Sequence, residues 1–229
     1  MAKLIKYLII IFIIICHEKA IAQYDFFHDI AVSKTFYSAD NKNIYSVIPG
    51  WKHIYNNVGW RRWSVMGQYK RQLNMWSIGG GVGMFYTFDK DIMNNLELRP
   101  YLLLNLKTPI TKNIIFSQTL KGELRSFFYK VSDNNFNTNR LRYNLNAVAI
   151  ISENIDKKVK WKLRPEVEWY IQKNANVKER FISSTEYTLT LLKEMRKVEV
   201  GIGYRFERFN KNFLVSDPNA QTISIELNF

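Results

Sequence analysis

The chain has 229 residues, 47% of them hydrophobic and 23% charged, with a formal net charge of +13. A mean hydropathy of -0.23 excludes a bundle of membrane helices, each of which needs roughly 20 consecutive apolar residues. The basic excess raises nucleic acid as a partner, a reading that the first segment of the chain then weakens.

Met1–Ala22 has the three parts of a secretory signal peptide. Lys3 and Lys6 form a positive start, and Tyr7 to Cys16 is an apolar core too short to span a bilayer comfortably. Ala20-Ile21-Ala22 offers a small-x-small cleavage site before Gln23. A retained anchor fits the short core less well, and a lipid-modified Cys16 is disfavoured by the bulky Ile15 before it. The expected organisation is therefore a signal peptide over 1–22 and one domain over 23–229. That domain carries 30 Lys and Arg against 19 Asp and Glu, a net +11, and has lost the only cysteine. An exported domain without cysteine has no disulfide to lean on. Export also argues for no nucleic acid and turns the basic excess toward a phosphate-bearing membrane surface.

From Gln23 onward the helical period is almost absent and period-two alternation dominates. About ten strands are expected, in a range of 8–12, near 25–36, 58–70, 74–88, 95–107, 113–130, 138–151, 159–173, 178–192, 197–208 and 220–229. Short turns at Arg71–Asn74, Thr108–Lys112, Ser152–Lys158 and Lys193–Lys197 alternate with other connections, the longest being Tyr37–Asn57 and Phe209–Asn219. An even strand number with both termini on one side puts those two long loops together on the other. That is the asymmetry of outer-membrane barrels. Pro100 and Pro165 fall inside expected strands, where each removes a ladder hydrogen bond or marks a bulge.

Each run has one greasy and one charged face. With the greasy face outward, Arg62, Glu97, Arg99, Glu123, Arg125, Arg140, Arg142, Arg164, Glu166, Glu168, Glu199, Arg205 and Glu207 point into a lumen, where arginine and carboxylate interlock through bidentate bonds. Such a face serves either as a structural polar core or as a narrow polar pathway. Gly79, Gly81, Gly83, Gly201 and Gly203 share the inner parity and are expected to leave room beside the long side chains. Trp161 and Trp169, and Trp76 and Tyr86, share parity at spacings of eight and ten residues, suited to aromatic girdles at the two edges of an apolar band about 25 Å tall.

The alternative is a soluble exported lipocalin-like binding barrel, apolar inside and polar outside. Runs of a dozen residues exceed the usual five or six of globular strands, and the chain ends on Ile223, Ile225, Leu227 and Phe229. That ending resembles the C-terminal assembly signal of bacterial outer-membrane barrels. The fold expected is thus an all-β, single antiparallel up-and-down transmembrane barrel in a bacterial outer membrane. Its implied partners are the barrel assembly machinery and outer-membrane lipid, including lipopolysaccharide, and it is expected to be a monomer.

Asn139-Arg140-Leu141-Arg142-Tyr143-Asn144-Leu145, Trp161-Lys162-Leu163-Arg164-Pro165-Glu166 and Val200-Gly201-Ile202-Gly203-Tyr204-Arg205 resemble the domain-of-unknown-function 2490 family. Those proteins are taken as outer-membrane barrels of the Bacteroidota. The resemblance implies a barrel and no particular reaction.

A loop enzyme acting on lipid or peptide is the rival class. The histidines after residue 22 are His28, placed toward the periplasmic end, and His53, placed in the long first loop near Asp40, Ser46 and Ser64. A His–Ser pair suits acyl transfer, but no spacing here is diagnostic. Asp133–Asn139 lacks the central glycine and closing glutamate of a calcium loop, and Gly79–Gly83 lacks the Lys-Ser/Thr of a phosphate loop. The expectation is no enzyme, no metal and no cofactor, with structural, surface-interaction or small-solute work as the role.

Overall fold

The computed structural model describes residues 25–54, 59–89, 94–129, 135–156, 158–172, 184–209 and 219–229. The segment read as a signal peptide lies outside them. Eleven strands form one closed barrel: β1 (Asp25–Tyr37), β2 (Asn43–Ile54), β3 (Trp60–Leu73), β4 (Trp76–Asp89), β5 (Asn95–Thr111), β6 (Ile114–Tyr129), β7 (Phe136–Asn154), β8 (Val159–Gln172), β9 (Ser184–Met195), β10 (Val198–Phe209) and β11 (Asn219–Asn228).

The strand absent from the sequence reading is β2, which replaces most of the expected Tyr37–Asn57 loop. Pro49-Gly50 imitates a turn, and apolar residues on both parities hide the alternation. Ile44, Ile48 and Ile54 share the inward parity while Tyr45, Val47 and Trp51 share the other. What remains of the loop is a tight connection in which Asn41 takes positive φ and the Asp40 carboxylate accepts from the Ser38 hydroxyl and the Lys42 amide. The Ser38 bond first, and the Lys42 amide second, hold Asp40 below the ordinary carboxylate range.

An odd strand number forces a second correction. Ten of the eleven seams are antiparallel, but β1 closes on β11 in parallel, from Asp25 beside Ala220 to Ser33 beside Asn228. Phe229 extends the seam, its amide donating to the Ser33 carbonyl and its carbonyl accepting from the Thr35 amide. The two ends of the barrel sequence therefore lie at opposite mouths, contrary to the expected shared side. Phe229 sits with the short turns after β1, β3, β5, β7 and β9. Asp25 sits at the long-connection mouth, and His28 moves there with it.

Three prolines stand inside strands without shifting register. Paired positions skip Val32 and Ser33 opposite Pro49, Leu124 and Arg125 opposite Pro100, and Ala147 and Val148 opposite Pro165. Each proline lacks an N–H, so the ladder opens on one side of it while the strand runs on. The register shifts lie elsewhere, at Pro109/Thr111 and Ile150/Ser152.

The wall is apolar outside and polar inside. Leu102, Ile202, Trp63, Ile78 and Ile171 are exposed, whereas Glu97, Arg125, Thr190 and Thr222 are fully buried. The inward glycines do not leave the expected room. A Cβ on Gly81 meets the Gly67 carbonyl at 2.2 Å and the Tyr101 hydroxyl at 2.6 Å, and one on Gly79 meets the Tyr69 carbonyl at 2.2 Å. Gly81→Ala is therefore expected to destabilise the barrel by about 1–3 kcal/mol through overpacking. Outward Gly122, whose Cβ would meet nothing within 4 Å, should accept alanine unchanged; denaturant midpoints of the two variants check this.

Candidate functional site: the charged interior

Alternation along β5 to β8 aims long charged side chains at one another across the inner wall. Glu97 is the hub nearest the long-connection mouth. Its oxygens accept from Arg99 Nε and Nη2 at 2.8 Å each and from Arg125 Nε at 2.6 Å and Nη2 at 3.1 Å. Both guanidiniums thus dock in the forked, charge-assisted geometry. Arg125 Nη1 also donates to Gln172, which in turn donates to Thr138.

One layer deeper, Glu123 accepts from Arg140 Nε at 2.7 Å and Arg142 Nη1 at 3.3 Å, and Lys121 Nζ lies 3.0 Å away. Arg142 continues to Glu168 at 2.6 and 2.8 Å, while the Tyr170 hydroxyl donates to the same carboxylate at 2.9 Å. Aromatic rings back the cations: Phe85 lies 4.0 Å from Arg99, Tyr101 3.8 Å from Lys121, and Tyr170 4.9 and 4.6 Å from Arg140 and Arg142.

The facing arc has a different composition. On β9, β10 and β11 the inward ionisable side chains are Glu186, Glu194, Glu199, Glu207 and Glu226, with Arg205 as the cation among them. Arg205 approaches Glu186 at 3.3 Å and Asp29 of β1 at 3.5 Å. Between the carboxylates stand short side chains, and the hydroxyls of Thr188, Thr222 and Ser224 are buried with no hydrogen-bond partner among the described residues. Two β8 cations reach across to this arc, Arg164 to Glu226 at 2.7 Å and Lys162 to Glu199 at 2.8 Å.

The thirteen charged positions named from sequence fall into these groups. Glu97, Arg99 and Arg125 form the first cluster; Glu123, Arg140, Arg142 and Glu168 form the second. Arg164 and Glu166 approach at 3.9 Å, Glu199 and Arg205 belong to the facing arc, and Glu207 is buried there. Arg62, on β3, donates to Thr87 at 2.9 Å and lies over the Trp60 ring at 5.3 Å. Sequence reasoning left out Lys121, Tyr170, Glu186 and Glu226, although their parity marks them. It also left out an apolar group at the long-connection mouth, where Phe27, Ile54, Trp60, Phe209 and Ala220 bury one another and Phe27 meets Trp60 edge-on at 5.4 Å.

The His–Ser pair is not assembled. His53 stands on the outer face of β2 beside Trp51, whereas Ser64 and Ser46 share the inner parity, and Asp40 lies at the opposite mouth. No group of three or more His, Cys, Asp or Glu suited to a metal occurs among the described residues.

No protein-family model matches the chain, and no curated protein matches it. Among solved structures, the NanC porin aligns over 78% of this chain and 86% of its own, at 14% identity and a TM-score of 0.43. That alignment is too loose to carry any residue across.

Proposed function

We propose that the chain is an outer-membrane β-barrel whose polar interior gives non-enzymatic passage to small solutes. The observation that carries this reading is the opposition of faces. On β3, the outward residues between Arg61 and Arg71 are Trp63, Val65, Gly67 and Tyr69. Ten residues at ~3.3 Å each, tilted near 40°, span about 25 Å vertically, the height of an outer-membrane barrel's apolar band. Trp76 and Trp161 lie outward toward the short-turn mouth, and Tyr86 and Trp169 toward the other, where interfacial rings belong. A water-soluble barrel has no use for so much exposed leucine and isoleucine around so many buried charges.

Inside, the cation-rich arc of β5 to β8 faces the carboxylate-rich arc of β9 to β11. Unpartnered buried hydroxyls call for water or solute as partners. The test is conductance of the refolded barrel in planar bilayers. Ion-conducting steps are expected, and Arg142→Glu should shift the reversal potential under a salt gradient toward cations. Absence of any conductance from a barrel that shows a boiling-dependent gel shift would sink the passage reading and leave a sealed polar core.

A further inference from the structure

The outer wall carries a site that passage does not use. Across β1 to β4, His28, His53, Arg61 and Phe88 are register partners in one row at the long-connection mouth. The next outward row is Ile30, Trp51, Trp63 and Tyr86, and the one below it is Val32, Pro49, Val65 and Met84. These two lower rows line a groove of about 320 Å³ that deepens to Gly50 and Ser64. Its depth has a local cause, because the β1–β2 ladder opens beside Pro49.

A basic row thus stands directly above an apolar groove. Arg61 is exposed, its guanidinium lies 4.5 Å from the Phe88 ring, and no carboxylate pairs with it among the described residues. Set over a ring and unpaired with any carboxylate, a guanidinium keeps N–H donors for a forked bond to phosphate. The imidazole of His53, stacked on Trp51 at 5.6 Å, adds N–H donor capacity at the same level. The row is about 15 Å wide at ordinary strand spacing, room for a headgroup larger than one phosphate.

A second groove on the outer wall tests what is special here. It lies beside Pro100, around Leu102, Gly122, Leu124, Leu141 and Ile171. Its register neighbours toward the long-connection mouth are Leu98 and Ser126, with no cation in that outward row.

We propose that the Pro49 groove holds an acyl chain of a phosphorylated, multi-acylated glycolipid, the lipid A portion of lipopolysaccharide, with a lipid phosphate on Arg61 and His53. The assignment rests on the outer-membrane reading, which puts the long-connection mouth at the leaflet where that lipid resides.

The experiment is native mass spectrometry of the purified full chain in detergent, offered diphosphorylated lipid A or phosphatidylglycerol at equal concentration. The wild-type barrel should retain one lipid A in preference to phosphatidylglycerol. Arg61→Glu should lower that retention about tenfold or more, the worth of a charge-assisted phosphate contact. Gly122→Leu, which fills the other groove, should leave it unchanged. Equal retention by Arg61→Glu, or loss with Gly122→Leu, would overturn the site, and indifference between the two lipids would overturn the choice of lipid. Each variant must first show the boiling-dependent gel shift; where Arg61→Glu does not, His53→Glu and Arg61→Gln replace it under the same criteria. Cell fractionation decides the outer-membrane reading separately, so the two ideas fail on different measurements.

Discussion

Leu102→Arg is expected to lower the stability of the barrel folded in phospholipid vesicles by about 2–4 kcal/mol, the cost of an arginine at the bilayer midplane of a barrel wall. Leu102 is 75% exposed and lies near the middle of β5, seven residues from Asn95 and nine from Thr111. In water, an exposed leucine replaced by arginine changes stability by no more than about 0.5 kcal/mol. The same residue thus gives two very different answers depending on what surrounds the wall. Ile155, 81% exposed in the turn between β7 and β8, supplies the control: arginine there should be neutral. Denaturant titration of both variants in vesicles reads the difference, and a neutral Leu102→Arg would remove the membrane-spanning interpretation.

The second large effect belongs inside. Glu97→Ala should cost about 3–5 kcal/mol, because it strands two buried guanidiniums whose common counter-charge it deletes. Arg125 is as buried as Glu97, and Arg99 nearly so. Truncating Glu166 instead, an inward carboxylate 3.9 Å from Arg164, should cost clearly less, because Arg164 keeps Glu226 as its counter-charge at 2.7 Å. Unfolding midpoints at constant slope separate the two. Comparable losses at both positions would mean that the Glu97 cluster is not the tight clamp its distances describe.

The alternation that reveals such a barrel in sequence is also what limits the reading. It is a statement about parity, so it placed the charged residues of β5 to β8 on one face, where Glu97, Glu123, Arg125 and Arg140 are buried. It says nothing of which strand stands opposite which, so the cross-barrel reach of Arg164 to Glu226 and the gathering of carboxylates on β9 to β11 had to await the register. β2 escaped because parity itself failed there: an isoleucine series faces inward and Pro49-Gly50 mimics a turn. Missing one strand then put the start of the barrel, and His28 with it, at the wrong mouth, while the short turns and Phe229 were placed together correctly. His28, placed from sequence at the opposite end from His53, is its direct register partner. The prolines show a related ambiguity. Sequence offers bulge or misplacement, while the strands simply run through Pro100 and Pro165 with a local break in the ladder. The glycines on the inner parity were legible as small but not as filled, since what fills the space beside Gly81 is the Tyr101 ring from a neighbouring strand.

The parallel β1–β11 seam makes the barrel a vector. In an up-and-down barrel with an even strand number, anything attached to either terminus shares a compartment with the other. Here a peptide attached directly ahead of Asp25 leaves through one rim and a peptide attached after Phe229 leaves through the other, with the full height of the wall between them. On the outer-membrane reading, a fusion at both ends would therefore tether two cargoes on opposite sides of one bilayer, joined by a rigid cylinder and not by a flexible linker.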